Sequence, residues 1–187
     1  YSSEVYPLEE FSLEKAGQIL ESAGWRLNNE GLREKTIKKD SQQLEFDLVV
    51  PQVPFLVEAA GLIKENWEKA GIKLNLTTLP LEDINNEVIK TRNSQMIVFG
   101  NVFRDVESPD LSSFWHSSER FYPGLNLALY ENKTADDLLE RARQALNPLE
   151  RTKLYQDFQR IVVADAPAVF LYNPLYIYAQ TNNIKGR

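Results

Sequence analysis

The chain has 187 residues, of which 43% are hydrophobic and 11% aromatic; it carries no cysteine and a formal net charge of −6. This length and composition predict one folded domain, and the absence of cysteine excludes disulfides, thiolate metal sites and a cysteine nucleophile. The acidic balance, with no dense Lys and Arg cluster, argues against nucleic-acid binding, because that binding depends on clustered basic side chains.

The N-terminal quarter predicts a helix followed by a small hairpin. Ser12 is a suitable N-cap for a helix over 12–23, and Gly24 can supply the left-handed residue that ends it. The sequence Asn-Asn-Glu-Gly at 28–31 tolerates positive φ and predicts the turn of a hairpin.

A βαβ unit is predicted next. Apolar and polar residues alternate along 44–50 and again along 72–79, which is typical of strands. Between them, a helix over 54–70 begins at Pro54 and ends at Gly71. Strands joined through a helix should be parallel with a right-handed crossover. The predicted fold class is therefore α/β, with a βαβ-containing mixed sheet covered by helices.

The middle of the chain predicts a short helix after Pro80, a buried strand at 96–100 and a long irregular segment over 101–132. A loop this long in a compact domain is usually functional or disordered, and its aromatic residues argue against disorder. The short helix is expected to place three apolar residues on one face: Leu81, Ile84 and Val88.

Two further helices are predicted towards the C-terminus. Thr134, with Asp137 three residues on, predicts a capping-box variant for the first helix, and Asn147 is expected to cap the second. Pro167 should end the second helix, and the composition of 168–179 predicts a strand pair. The expected apolar faces are Leu138, Leu139, Ala142, Ala145 and Leu146 in the first helix, and Leu154, Tyr155, Phe158, Ile161 and Val162 in the second.

Catalytic motifs are weak in this sequence. It has one histidine, His116, and neither a G-x-S-x-G turn, an H-E-x-x-H helix nor a glycine-rich phosphate loop. A lone histidine in a loop more often makes structural hydrogen bonds than it acts in catalysis. Asp105, Glu107 and Asp110 could supply the carboxylate pair of a hydrolase, although Glu107 and Asp110 fit exposed or turn-capping roles better.

The order of several short motifs carries more information than any one of them. The motifs are Asn126, Tyr130 and Asn132; then Asp137, Leu138, Leu139 and Ala142; then 150–161; then 165–172. This set resembles the C-terminal lobe of the family 5 bacterial extracellular solute-binding proteins, the peptide, dipeptide and nickel receptors of ABC importers. The stretch 16–25 and the Gly71-Ile72 step extend the resemblance over nearly the whole chain.

The resemblance implies a binding site around 101–109. In peptide receptors of this family an Asp after a strand, with a Pro four residues later, pairs with the α-amino group of the ligand; Asp105 and Pro109 match that spacing. A carboxylate in a closing cleft can hold an ammonium through charge-assisted hydrogen bonds. Arg104 departs from the family pattern, and it either neutralises Asp105 or points away from it.

The other candidates are aromatic walls and one amide. The predicted ligand-binding residues are Asp105, Phe103, Trp115, Asn126 and Arg104, with Phe99 and Tyr172 as further pocket walls. Core packing is the favoured alternative for Phe99 and Trp67. For Asn126 the alternative is that its amide satisfies backbone groups of the loop.

The resemblance also implies how the molecule works. We expect residues 1–187 to be a single domain, an excised C-terminal lobe resembling that of a type II periplasmic binding protein, because the start lacks a signal-peptide pattern and family receptors are much longer. The expected ligand is an oligopeptide or dipeptide, with nickel, sugars or opines open, and the expected partner is the importer's membrane permease. We expect a monomer without cofactor, metal or enzymatic activity, in the periplasm or outside the cell and membrane-associated when full length. A ligand-sensing domain of a transcriptional regulator is the alternative, and a hydrolase is a weaker one.

Overall fold

The computed structural model describes residues 5, 10–100 and 110–172. Its helices are α1 (Leu13–Ser22), α2 (Pro54–Lys69), α3 (Leu81–Asp83), a π-helix (Ile84–Ile89), α4 (Ser112–Trp115), a 3-10 turn (Ser117–Glu119), α5 (Lys133–Gln144) and α6 (Pro148–Asp165). Its strands are β1 (Arg26–Leu27), β2 (Arg33–Ile37), β3 (Asp40–Gln43), β4 (Glu45–Pro51), β5 (Lys73–Leu79) and β6 (Met96–Ile97). None of the helices in these described ranges has the length and apolar character needed to cross a membrane.

The N-terminal helix and hairpin form as predicted. The Ser12 hydroxyl accepts a hydrogen bond from the Lys15 amide at 3.1 Å, and Gly24 follows the helix with φ +91°. Strands β1, β2 and β3 make an antiparallel sheet in that order. The sequence did not reveal β3, because all four of its residues are exposed and polar and so show no alternation.

One buried cation attaches this small sheet to the rest of the molecule. The Arg33 guanidinium donates to the carbonyl oxygens of Ala70 (2.8 Å) and Trp25 (3.1 Å) and lies 3.4 Å from the Glu21 carboxylate. Only 4% of Arg33 is exposed. Because the buried charge is paired with Glu21 and its Nε and Nη1 groups donate to backbone carbonyls, it fixes the hairpin against the end of α2.

The predicted βαβ unit is confirmed. Strand β4 lies between β5 and β6 and is parallel to both, with Leu48 opposite Leu76 and Met96. On one face of this sheet, α2 buries a core of Leu48, Val50, Ala60, Leu74 and Val98. Trp67 packs against that core and meets Phe46 edge to face, with ring centroids 5.9 Å apart, so its predicted core role is also confirmed.

The predicted 96–100 strand is shorter in the structure. Strand β6 ends at Ile97, and Phe99 is 41% exposed and contacts Phe114. Core packing of Phe99 was therefore a wrong prediction, because the chain leaves the sheet two residues before it.

The opposite sheet face is covered by the π-helix. Val49, whose side chain alternates with Leu48 and Val50, packs with the buried Ile84, Val88 and Ile89. The predicted short helix is thus present, although Leu81 is 64% exposed rather than buried, because it precedes the turn that reaches the sheet.

Helices α5 and α6 form an antiparallel hairpin with its own core. Its buried residues are Tyr130, Ala135, Leu138, Leu139, Ala142, Leu154, Phe158 and Val162, with Trp115, Ala145, Tyr155, Ile161 and Phe170 packed against them. The predicted faces are therefore confirmed except for Leu146, which is 94% exposed because it lies beyond the end of α5 in the turn.

The helix ends show one wrong and one correct capping prediction. Asn132, not Thr134, caps α5, since its side-chain oxygen accepts hydrogen bonds from the amides of Thr134 and Ala135. Asn147 caps α6 as predicted, accepting from the Leu149 amide. Residues 168–172 contain no strand, and the rest of the predicted strand pair lies outside the described residues.

Candidate functional site

The predicted ligand residues fall into two groups. Phe103, Arg104 and Asp105 lie in 101–109, outside the described residues, so their contact with a ligand stays a prediction. Trp115 and Asn126 lie in the described residues that follow, Trp115 at the end of α4 and Asn126 in the loop between α4 and α5.

Asn126 holds this segment together through its side chain. Its amide nitrogen donates to the carbonyl oxygens of Tyr130 (2.8 Å) and His116 (3.1 Å), and its carbonyl oxygen accepts from the Tyr130 amide (2.9 Å). The residue is 0% exposed. This geometry supports the alternative in which Asn126 satisfies loop backbone groups; contact with a ligand stays an untested prediction, and the amide has no exposed atom to offer one.

Trp115 is half-buried in the aromatic edge of the α5–α6 core. Its ring meets Tyr130 edge to face, with centroids 6.3 Å apart, and Phe170 at 5.7 Å. The structure places Trp115 against this core, whereas Phe99 and Tyr172 are more exposed. Whether these rings also line a pocket stays a prediction.

The motif residues Tyr130, Asn132 and Asp165 form one polar lock. The Tyr130 hydroxyl and the Asn132 amide both donate to the same Asp165 carboxylate oxygen, at 2.6 and 2.8 Å. These hydrogen bonds lower the pKa of Asp165, the Tyr130 bond contributing most. Burial, reinforced by the carboxylate, raises the pKa of Tyr130 far above its ordinary value. The lock joins the start of α5 to the end of α6.

Arg92 anchors the loop before Asn126. Its guanidinium donates to the carbonyl oxygens of Arg120 (2.8 Å) and Gly124 (2.5 Å) and also contacts the carbonyl of Ile89. Burial lowers the pKa of this guanidinium. Sequence reasoning missed Arg92, because nothing in its local pattern indicates partners about 30 residues away.

A polar cleft of about 250 Å³ opens beside this loop. Its lining residues are Ser112, His116, Ser118, Glu119, Glu140, Arg143 and Gln144. His116 makes structural hydrogen bonds there, as predicted: its Nδ1 accepts from the Ser118 amide (3.2 Å), and its Nε2 lies 3.3 Å from the Glu140 carboxylate.

The turn-capping role of Asp110 is confirmed as well, since its carboxylate accepts from the Ser112 amide at 2.9 Å. Across the described residues no three histidine or carboxylate side chains are grouped so as to hold a metal ion.

Solved structures share this architecture. The oligopeptide-binding protein AppA from Bacillus subtilis in complex with a nonapeptide gives a TM-score of 0.72, at 24% identity, over 87% of this chain and 33% of its own. NikZ from Campylobacter jejuni in complex with Ni(L-His) gives 0.71, at 24% identity, over 89% and 33%. The fold is therefore the α/β fold of periplasmic binding proteins, as predicted.

Sequence comparison identifies the family. The family described as "Bacterial extracellular solute-binding proteins, family 5 Middle" matches residues 1–122, so this chain belongs to the family 5 extracellular solute-binding proteins. The oligopeptide-binding protein AppA of Bacillus subtilis (strain 168) is 27% identical over 183 residues, which are 96% of this chain and 32% of AppA. The probable D,D-dipeptide-binding periplasmic protein DdpA of Escherichia coli (strain K12) is 31% identical over 133 residues, 65% of this chain and 25% of its own. The chain thus spans about a third of the length of the curated relatives it matches.

Proposed function

We propose that this chain is a ligand-binding lobe of an extracellular solute-binding protein that delivers peptides to an ABC importer. The observation that carries the proposal is the match to an oligopeptide-binding protein over 96% of the chain, together with a shared fold. Peptides are the leading cargo because oligopeptide and dipeptide binding are named among the relatives.

The proposed mechanism is closure of two lobes around the ligand. Residues 1–187 would form one lobe, corresponding to the C-terminal one, and the ligand would bind between it and a second lobe. Hinge closure buries the ligand and excludes water, which strengthens charge-assisted contacts, and the closed form docks on the membrane permease. In this proposal the receptor works as a monomer, in the periplasm or outside the cell, held at the membrane.

Asp105 is the proposed ammonium ligand. It follows β6 in the chain, and β6 pairs with β4. On the far side of the segment, the Asn126 amide donates to the Trp115 carbonyl at the end of α4 (3.4 Å). The 3-10 turn that follows α4 is tied to α5 through Ser117, whose amide and hydroxyl donate to the Asp136 carboxylate at 2.9 and 2.6 Å. The described residues on both sides of 101–109 are therefore held, by β4 on one side and by α5 on the other.

The first experiment is native mass spectrometry of the full-length protein purified from its own host, with and without denaturation. A ladder of short peptides released on denaturation supports the peptide receptor. Release of a sugar or a metal complex would show that the cargo is that molecule and not a peptide. An empty protein with an upstream helix-turn-helix favours the transcriptional regulator instead.

The second experiment tests Asp105 with a matched control. Asp105→Asn removes the charge at nearly constant shape, and we expect peptide affinity to fall about tenfold or more by calorimetry, the size of one charge-assisted hydrogen bond. Asp110→Asn is the control, because the Asn oxygen can still accept from the Ser112 amide. Equal affinities for the two variants would remove Asp105 from the site. Turnover of a peptide or sugar that Asp105→Asn abolishes would favour the hydrolase.

A further inference from the structure

The only histidine in the chain caps a turn through a ring nitrogen. Nδ1 of His116 accepts a hydrogen bond from the Ser118 amide at 3.2 Å, which makes His116 the N-cap of the 3-10 turn Ser117–Glu119. The opposite nitrogen, Nε2, lies 3.3 Å from a Glu140 carboxylate oxygen. A carboxylate only accepts, so Nε2 carries the proton and Nδ1 is the acceptor in the neutral ring.

Protonation of the ring is incompatible with this cap. In the imidazolium form both nitrogens are donors, so Nδ1–H would point at the N–H of Ser118. The Ser118 hydroxyl oxygen lies 2.9 Å from Nδ1 and 3.2 Å from the Glu119 carboxylate. The charged ring can therefore donate to that hydroxyl, which donates onward to Glu119, while the Ser118 amide loses its partner.

Charged side chains from two elements face the ring. Glu140 and Arg143 face the cleft from α5, Glu119 faces it from the turn itself, and Ser112 lines it from α4. Two carboxylates outnumber one guanidinium around the ring. Imidazole is the side chain that ordinarily changes charge between about pH 5 and 8, so that range is the one in which the cap is tested.

We propose that His116 is a proton-operated cap: the neutral ring closes the 117–119 turn by accepting from the Ser118 amide, and the charged ring releases that amide while linking Glu140 to Glu119. The change stays local, because Ser117 is held independently by Asp136 and its carbonyl accepts from Arg120 at 2.9 Å. The proposal does not depend on which ligand the protein binds.

The test is amide hydrogen exchange by NMR between pH 8 and pH 5, corrected for intrinsic exchange. We expect the protection of the Ser118 amide to fall about fivefold on acidification, the size of one N-cap bond. The Ser117 amide, bonded to Asp136, is the internal control and should keep its protection. Unchanged protection at Ser118, or an equal loss at both amides, would overturn the proposal.

Two variants separate this cap from other pH effects. In His116→Asn the side-chain oxygen can accept from the same amide but does not titrate, so Ser118 protection should become independent of pH. In Ser118→Ala the amide remains and the hydroxyl is lost, so the pH response of residue 118 should persist. A pH response in His116→Asn, or its loss in Ser118→Ala, would show that the ring nitrogen is not the switched acceptor.

Discussion

The fully buried side chain of Asn126 makes four hydrogen bonds, to the carbonyls of Trp115, His116 and Tyr130 and to the amide of Tyr130. Asn126→Ala leaves the carbonyls of His116 and Tyr130 and the Tyr130 amide without their buried partner, so we expect a loss of about 3 kcal/mol in the free energy of unfolding. Urea denaturation measures it. The control is Asn86→Ala, an exposed amide whose oxygen accepts from Lys90, with an expected change within about 0.5 kcal/mol. Equal losses in the two variants would contradict the anchoring role.

The Tyr130–Asp165 hydrogen bond predicts a dependence of stability on pH. The pKa of Asp165 is lowered from its ordinary value of 3.8. The ionised carboxylate therefore adds to the free energy of unfolding in full above that value, and this stabilisation disappears as the pH falls through the lower folded-state pKa. Tyr130→Phe removes the main donor. We therefore expect this variant to be less stable than the wild type at pH 7, and the difference to shrink between pH 4 and more acidic solution.

Urea midpoints at a series of pH values check this expectation. Tyr122→Phe, which deletes the hydroxyl of a half-exposed tyrosine, is the matched control and should follow the wild-type curve. A Tyr130→Phe deficit that stayed constant with pH would mean that the hydroxyl acts through packing and not through the carboxylate.

At the scale of elements, the end of α2 depends on Gly71. Its φ is +82°, and an added Cβ would lie 2.7 Å from Cδ2 of Leu27 and 3.0 Å from Cγ of Arg33. Gly71→Ala should therefore cost about 2 kcal/mol or more, from the left-handed backbone and the contact with the hairpin. Gly61→Ala is the opposite case, because that position is helical and, apart from its chain neighbours and the backbone of its own helix, nothing lies within 4 Å of the added Cβ.

Gly61→Ala should stabilise the protein by about 0.5–1 kcal/mol through its helix propensity. The pair is best compared by thermal and urea unfolding of both variants beside the wild type. The expected shifts have opposite signs, so a destabilised Gly61→Ala or a neutral Gly71→Ala would contradict this account of the α2 surface and its end.

Elements with a strong periodic pattern were predictable, and those defined by distant contacts were not. The βαβ unit and α6 follow from alternation, Pro54, Gly71 and Asn147, all of which are local signals. Strand β3 has no apolar alternation and forms because β2 offers it a partner. The cap of α5 was misplaced because Asn132 and Thr134 are both suitable by type, and only the backbone conformation at 132 selects between them.

At the scale of the whole molecule, the motif order indicated the family but not what its residues do. The sequence offers Asn126 as a ligand contact, and it offers Tyr130, Asn132 and Asp165 only as motif residues of the family. In the structure they hold α5, α6 and the preceding loop together. Partners of Asn126, Asn132 and Tyr130 lie 10, 33 and 35 residues away, so composition and spacing could not distinguish residues that stabilise the fold from residues that bind a ligand.

The same scale sets the affinity expected of these 187 residues alone. If the ligand binds between two lobes, one lobe supplies only part of the contacts and cannot exclude water. The interaction free energy of one lobe with the ligand then exceeds the free-energy cost of association by only a small amount. We expect calorimetry of residues 1–187 with short peptides to give a dissociation constant above about 1 mM. The Bacillus subtilis relative, whose structure contains a nonapeptide, is the positive control in the same assay. Saturable micromolar binding by residues 1–187 would show that this lobe holds a complete site, and closure against a second lobe would then be unnecessary for recognition.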